Sequence, residues 1–222
     1  VIVVRTIFLD LETAPRPGIE PLLPEPDAPS NYKDATKIEA YKAEQRQQLV
    51  ERAAMDVDLC RVVAIGVAIN DDPPIADIVV EDEDEVAQLQ FFGDALRHAT
   101  RIIGFNIAGF DLRILTRRAQ LLGVPFPSLE LGRFRYDKRI IDLQHVLSFG
   151  DGPQKGKSLD FYARLFGITE GTEDEHTGAD IGRLVAAFRW DAVAQHVRCD
   201  VEKTRALARR LGVVPRPLAV SV

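Results

Sequence analysis

Cysteine is nearly absent. In 222 residues only Cys60 and Cys199 occur, far apart and without a Cys-x-x-Cys spacing. That argues against a disulfide framework or a structural zinc site, and makes the reducing cytoplasm the expected compartment. No apolar run approaches the roughly 20 residues that a membrane helix needs, so no membrane partner is expected. The opening Val1-Ile2-Val3-Val4 is cut by Arg5 and lacks a cleavage site, so a strand is expected there rather than a signal peptide. Excess positive charge is missing too. Lys and Arg number 28 against 34 Asp and Glu, a formal net charge of −6, which argues against a protein that coats nucleic acid non-specifically. An enzyme acting on nucleic acid stays allowed, because bound cations would offset part of that charge and only a local basic surface is needed. The apolar share of 46% and charged share of 28% are ordinary for a soluble globular chain, and the length suits one domain, 1–222.

Residues 3–12 read as a buried strand with Asp10 and Glu12 at its carboxyl end. Six prolines from Pro15 to Pro29, with no apolar periodicity, predict an extended loop. Asn31 to about Met55 is a polar helix pattern, so residues 14–59 form a polar insertion. Strands are predicted at 61–69 and 75–80, joined by a turn at Asn70-Asp71-Asp72-Pro73-Pro74. A helix from Glu83 to about Ala99, a strand at 101–105 and a helix from Phe110 to Leu122 follow, the last closed by Gly123 and Pro125. A fifth strand covers 139–143, and helices cover 158–166, 178–188 and 191–211. Three consecutive strands, then alternation, then terminal helices predict an α/β domain with a five-stranded mixed sheet flanked by helices.

Four acidic residues in three separated segments carry the chemistry. Asp10 and Glu12 end the apolar run Ile7-Phe8-Leu9-Asp10-Leu11-Glu12. Residues two apart in a strand share a face, so both carboxylates can approach one metal pair. The plainer alternative is a solvated strand end, and the same spacing recurs at Asp200-Val201-Glu202. Charges inside a core strand are costly unless paired or metal-bound, which favours the functional reading. Asp111 closes Gly104-Phe105-Asn106-Ile107-Ala108-Gly109-Phe110-Asp111. There Asn106 and Gly109 make a strand-to-helix turn that Phe110 anchors, and Asp111 falls in a first helical turn that would favour it on dipole grounds alone. Asn106 either binds a nucleotide end or fixes the loop. His196 and Asp200, four apart, share one helix face. Four carboxylates brought together repel one another unless cations fill the space between them. Their oxygens favour Mg²⁺ or Mn²⁺, and paired ions of this kind drive in-line displacement at phosphorus.

The order Asp-x-Glu, then Asn-x-x-x-Phe-Asp, then a ring four residues before Asp-Val-x-x-Thr resembles the DEDD 3′-5′ exonucleases. Within them it is most similar to the proofreading domain of family-B DNA polymerases and its free-standing relatives, from about Ile7 to about Arg210. The resemblance implies a ribonuclease H-like fold and a metal-dependent 3′-5′ exonuclease. Such an enzyme releases nucleoside monophosphates from single-stranded 3′ ends of DNA, or alternatively of RNA, between which the sequence does not choose. It also implies two divalent ions, Mg²⁺ or Mn²⁺. Asp10 would bridge both, Glu12 and Asp200 would complete one site, and Asp111 would hold the second mainly through water. His196 would orient and deprotonate the attacking water. The departure lies there, since a tyrosine is expected, and the subfamily that uses histidine sets it one residue farther from the aspartate. A phenol with a pKa of about 10 mostly orients water, whereas imidazole, at about 6.5, can take its proton. The rival is a catalytically inactive nucleic-acid-binding or accessory module, and the helix from Tyr32 to Met55 could dock on a replication or repair protein.

Three further segments have two readings each. Lys155-Gly156-Lys157 precedes Ser158-Leu159-Asp160-Phe161-Tyr162, where Lys155 and Lys157 could touch a phosphate or belong to a plain capped helix. Asp142 reads as a solvated strand end more readily than as a support for the site. Arg133-Phe134-Arg135-Tyr136-Asp137-Lys138-Arg139 suits single strands or an ordinary loop. His98, His145 and His176 take structural or surface readings, with His176 in reserve because of its acidic loop.

Overall fold

The structure, a computed structural model, describes residues 5–132, 137–150, 157–169 and 173–215. Its strands are β1 (Thr6–Pro15), β2 (Cys60–Ile69), β3 (Ile75–Ile78), β4 (Arg101–Gly104) and β5 (Ile140–Asp142). The helices are α1 (Ala35–Arg52), α2 (Asp82–Arg97), α3 (Asp111–Leu122), α4 (Leu143–Leu147), α5 (Leu159–Leu165), α6 (Ile181–Ala186) and α7 (Trp190–Arg210). The sheet has the order β3-β2-β1-β4-β5. β1, β2 and β3 pair antiparallel, and β4 and β5 add in parallel on the other side, so the sheet is five-stranded and mixed.

Alternation along β1 feeds two cores. Ile7, Leu9 and Leu11 pack with α2 and α3 residues such as Leu89, Phe92, Leu112 and Leu115. Phe8 faces the other way, into a cluster with Leu159 and Tyr162 of α5 and Val201 and Leu207 of α7. On the first face a buried ion pair ties three elements together. Arg118 Nε and Nη2 donate to the two Glu85 oxygens, each at 2.7 Å, and Glu85 also accepts from the Val62 N–H at 3.2 Å. Among the described residues no helix is long and apolar enough to cross a membrane.

The second face has a small-residue stripe. Ala64, Gly66 and Ala68 of β2 stand opposite Glu12, Asp10 and Phe8 of β1. A Cβ on Gly66 would lie 2.7 Å from Val197 Cγ2, 2.8 Å from Val201 Cγ2 and 2.9 Å from the Val197 carbonyl oxygen. The missing side chain therefore lets α7 lie directly on the sheet beside Asp10.

Several boundaries differ from the sequence reading. β1 runs on to Pro15, because a bulge after Glu12 shifts the register and Thr13, Ala14 and Pro15 then pair with Val62, Arg61 and Cys60. The proline-rich stretch holds a short 3₁₀ turn, Glu20–Leu22, and its Ile19 is buried. The predicted helix at 178–188 is a 3₁₀ turn, Gly178–Asp180, followed by α6. The five-residue α4 was not foreseen; Asp142 caps it.

Gly66→Val tests the α7 contact. Valine suits a strand by propensity, but overpacking here should cost about 1–3 kcal/mol. The expected result is a lower urea midpoint with an unchanged slope. An unchanged midpoint would mean that α7 has room to shift.

Candidate functional site

The site forms where β1 passes beneath α7. Asp10 and Glu12 project from one face of β1, and the bulge that follows Glu12 shifts the register of the ladder there. From α7, His196, Asp200 and Lys203 recur at helical spacing on a common face. Asp111 is the first residue of α3. All five residues expected to be catalytic, Asp10, Glu12, Asp111, His196 and Asp200, line one cleft of about 980 Å³, together with Asn106 and Phe110. Val50 and Glu51 of α1, and Ala54 and Met55 just after it, also line it. Lys157 does not. Its ammonium lies 5.0 Å from the centroid of the Phe161 ring, beside α5. Lys155 and Arg133 to Tyr136 lie outside the described residues.

The turn before Asp111 is held by Asp142, at the end of β5, which is paired with Gly104 at the end of β4. Its carboxylate accepts from the backbone N–H of Asn106 at 3.0 Å and of Ala108 at 3.2 Å, and caps α4 through the Gln144 N–H at 3.0 Å. Asp142 is thus a buried organiser of the loop, which corrects the solvated strand-end reading. Asn106 takes a left-handed conformation, φ 57°, which asparagine tolerates better than most residues. A Cβ on Gly109 would collide with the Asn106 side-chain oxygen, so the glycine makes room for it. The Asn106 carbonyl accepts from the Gly109 and Phe110 N–H groups, each at 3.0 Å, so its backbone closes the turn while the residue lines the cleft.

The charges are in conflict. Burial raises the Asp10 pKa well above the ordinary carboxylate range, and Asp200, Glu12 and Asp111 add to the rise. Burial does the same to Glu12, helped by Asp200, Asp111 and Asp174. Asp111 is pushed up to about 7, mainly by burial, with backbone N–H groups acting in opposition. Asp200 is raised by burial, while Lys203 and His196 pull it back. Lys203 donates to Asp200 at 2.8 Å and to Asp160 at 2.7 Å. Burial works against its ammonium, but those two carboxylates hold its pKa above the usual lysine range.

His196 is 2% exposed, its Nδ1 against the Asp174 carboxylate, its Nε2 3.3 Å from Glu12 Oε1 and 3.9 Å from Asp200 Oδ2. Asp174, His196 and Asp200 each offer one ligand atom, all within 4.8 Å of one another, so they could hold an ion. That group shares only Asp200 with the four carboxylates read from sequence. Two participants were missed. Asp174 lies in an acidic, aperiodic loop, and only His176 was noted there. Lys203 carried a usable signal, since it sits three residues after Asp200 on the same helix.

A pH consequence follows. For Asp111 the folded pKa of about 7 lies above its ordinary unfolded value of about 3.9. Between those limits the folded state holds more protons than the unfolded state, so stability falls as pH rises. Asp10, Glu12 and Asp200 act in the same direction. In chelator the melting temperature should drop between about pH 4 and 7, and Asp111→Asn should flatten part of that slope. A profile unaffected by Asp111→Asn would contradict the burial described here.

A family described as a predicted 3′-5′ exonuclease related to the exonuclease domain of PolB matches residues 53–214. The match includes Asp111, His196 and Asp200 and begins after β1. A family B DNA polymerase from the hyperthermophilic archaeon Pyrobaculum calidifontis is similar in fold, with a TM-score of 0.63 at 22% identity. The likeness covers 94% of this chain and 24% of the polymerase chain. None of the curated proteins matches. Because the family match takes in well over half of its length, the chain belongs to this family of predicted 3′-5′ exonucleases related to the exonuclease domain of PolB.

Proposed function

We propose that the protein is a metal-dependent 3′-5′ exonuclease that shortens single-stranded DNA and releases nucleoside monophosphates. The observation that carries this reading is the convergence of Asp10, Glu12, Asp111, Asp200 and His196 on one cleft from three distant segments. The donor set fits hard divalent cations such as Mg²⁺ or Mn²⁺. It consists mainly of carboxylate oxygens whose pKa values are raised by burial and mutual repulsion, which cations would relieve. Asp10, Glu12, Asp111 and Asp200 would hold two of them. When bound, the cations supply Lewis-acid stabilisation of the charge that builds up around phosphorus.

The chain's own groups do the rest. His196 presents Nε2 towards Glu12 and Asp200, where it can orient a water and take its proton. Phe110, half-buried at the cleft, offers a ring against which a terminal base can stack. Asn106 fixes the loop that carries Phe110 and Asp111. Lys203 donates to Asp200, which works against the rise that burial imposes on that carboxylate and holds it in place. The cytoplasm and a role at DNA ends in replication or repair go with this reading.

End-labelled single-stranded DNA and RNA oligonucleotides, incubated with Mn²⁺, Mg²⁺ or chelator, test it. Stepwise shortening from the 3′ end, dependent on the cation, is expected, with DNA preferred. Asp10→Ala and Asp200→Ala should each lower the rate by at least about 10³, with the circular dichroism spectrum preserved. Binding without shortening would favour the inactive module, and near-normal activity in Asp10→Ala would show the site to be misassigned.

A further inference from the structure

We infer that Asp174 is a positioning residue for the reaction, fixing the His196 imidazole so that Nε2 faces the cleft; the inference rests on the nuclease reading above. Both side chains are 2% exposed, and one Asp174 oxygen meets His196 Nδ1. The other accepts from the His176 backbone N–H at 2.9 Å, which holds the carboxylate in a local turn. The loop is also tied to α7, since the Cys199 thiol lies 3.4 Å from the Glu173 carbonyl oxygen. Asp174 is therefore held from its own loop as well as from the ring.

The chemistry then decides the tautomer. A neutral imidazole has one N–H and one lone pair, and an ionised carboxylate can only accept. The proton must sit on Nδ1, leaving the Nε2 lone pair directed at the site with Glu12 and Asp200. The opposite tautomer would set two acceptors against each other in the closed Asp174 contact, whereas Nε2, although 3.3 Å from Glu12 Oε1, lies on the cleft, where water or a cation can reach that carboxylate. The sequence departure also finds a reason here. A phenol has one polar atom, which would reach the cleft, whereas an imidazole at the same spacing has a second nitrogen that points into the protein. Asp174 satisfies that nitrogen.

Asp174→Asn keeps the shape and can turn an amide N–H towards Nδ1, which stabilises the wrong tautomer. Nitrogen-15 NMR of labelled histidine is read on metal-free protein, at a pH that leaves the ring neutral. Wild type should show a protonated Nδ1 and a bare Nε2, and the variant the reverse. On a single-stranded DNA oligonucleotide with Mn²⁺, kcat should fall by about 10² or more, with KM little changed, the loss expected for a displaced general base. Wild-type kcat in a folded Asp174→Asn overturns the inference and leaves the nuclease reading standing. If that variant does not fold, the wild-type spectrum decides, and a proton on Nε2 overturns the inference. A wild-type protein with no cation-dependent shortening overturns the nuclease reading itself, and with it any role of Asp174 in turnover, whatever the tautomer.

Discussion

The distance between α7 and the sheet controls this structure. Interaxial and helix-to-sheet spacings are set by the side chains at the contact, and here β2 contributes Ala64, Gly66 and Ala68. Val193, Val197 and Val201 of α7 are all buried on that side. Because His196 and Asp200 lie on the next stripe of the same helix, whatever spacing the valines adopt is passed to the site. Gly66 is the tightest point, and its partner across the ladder is Asp10. One missing side chain thus serves both packing and chemistry.

That closeness has an electrostatic consequence. Carboxylates from β1, α3 and α7 lose water where, among the described residues, fewer cationic side chains replace it. Lys203 is the buried ammonium at the site, and it is shared with Asp160, at the first turn of α5. The relief is uneven. Asp200 has a direct lysine partner, whereas Lys203 acts on Asp10 and Glu12 only at a distance, and burial raises both well above the ordinary carboxylate range. Conflict of this kind is expected where local stability is traded for function. The contrast with Glu85 and Arg118 is instructive. That pair is more deeply buried, but two parallel hydrogen bonds satisfy it, and nothing in it calls for a cation.

The sheet was legible because its strands are dense in β-branched and aliphatic residues and are punctuated by breakers. Ile69-Asn70-Asp71-Asp72-Pro73 and Leu122-Gly123 leave little freedom about where chains turn. The carboxyl end of β1 was less so, because Pro15 suggests a stop while the bulge lets three more residues pair with β2. Asp10, Glu12, Asp111, His196 and Asp200 could be paired from their local contexts, each at a strand end, a helix start or an i, i+4 spacing. Asp174 had no such context. Glu173-Asp174-Glu175 gives three adjacent acids and no period to say which turns inward, and its contact with His196 spans 22 residues. Asp142 was undervalued for a related reason. Its four N–H partners include two from the loop after β4, and register between parallel strands cannot be read from either strand alone.

The insertion divides the cleft into parts of unequal stability. α1 buries none of its 18 residues and depends on local contacts, among them the Asp34 cap and the Gln47–Glu51 pair at 2.9 Å. A polar helix of this length is marginal by itself. The segment that carries it is pinned instead where it leaves β1 and rejoins β2. The Thr13 hydroxyl donates to the Ala54 carbonyl at 2.6 Å, the Arg16 N–H donates to the Leu59 carbonyl at 3.0 Å, and Ile19 and Ala53 are buried. Local opening proceeds where buried apolar contacts are few, so α1 should open at far lower free energy than β1. Val50 and Glu51 of α1 are thus cleft wall on the soft side, Ala54 sits at the pin, and Asp10 and Glu12 stand on the central strand. The charged floor keeps its geometry even when the wall moves.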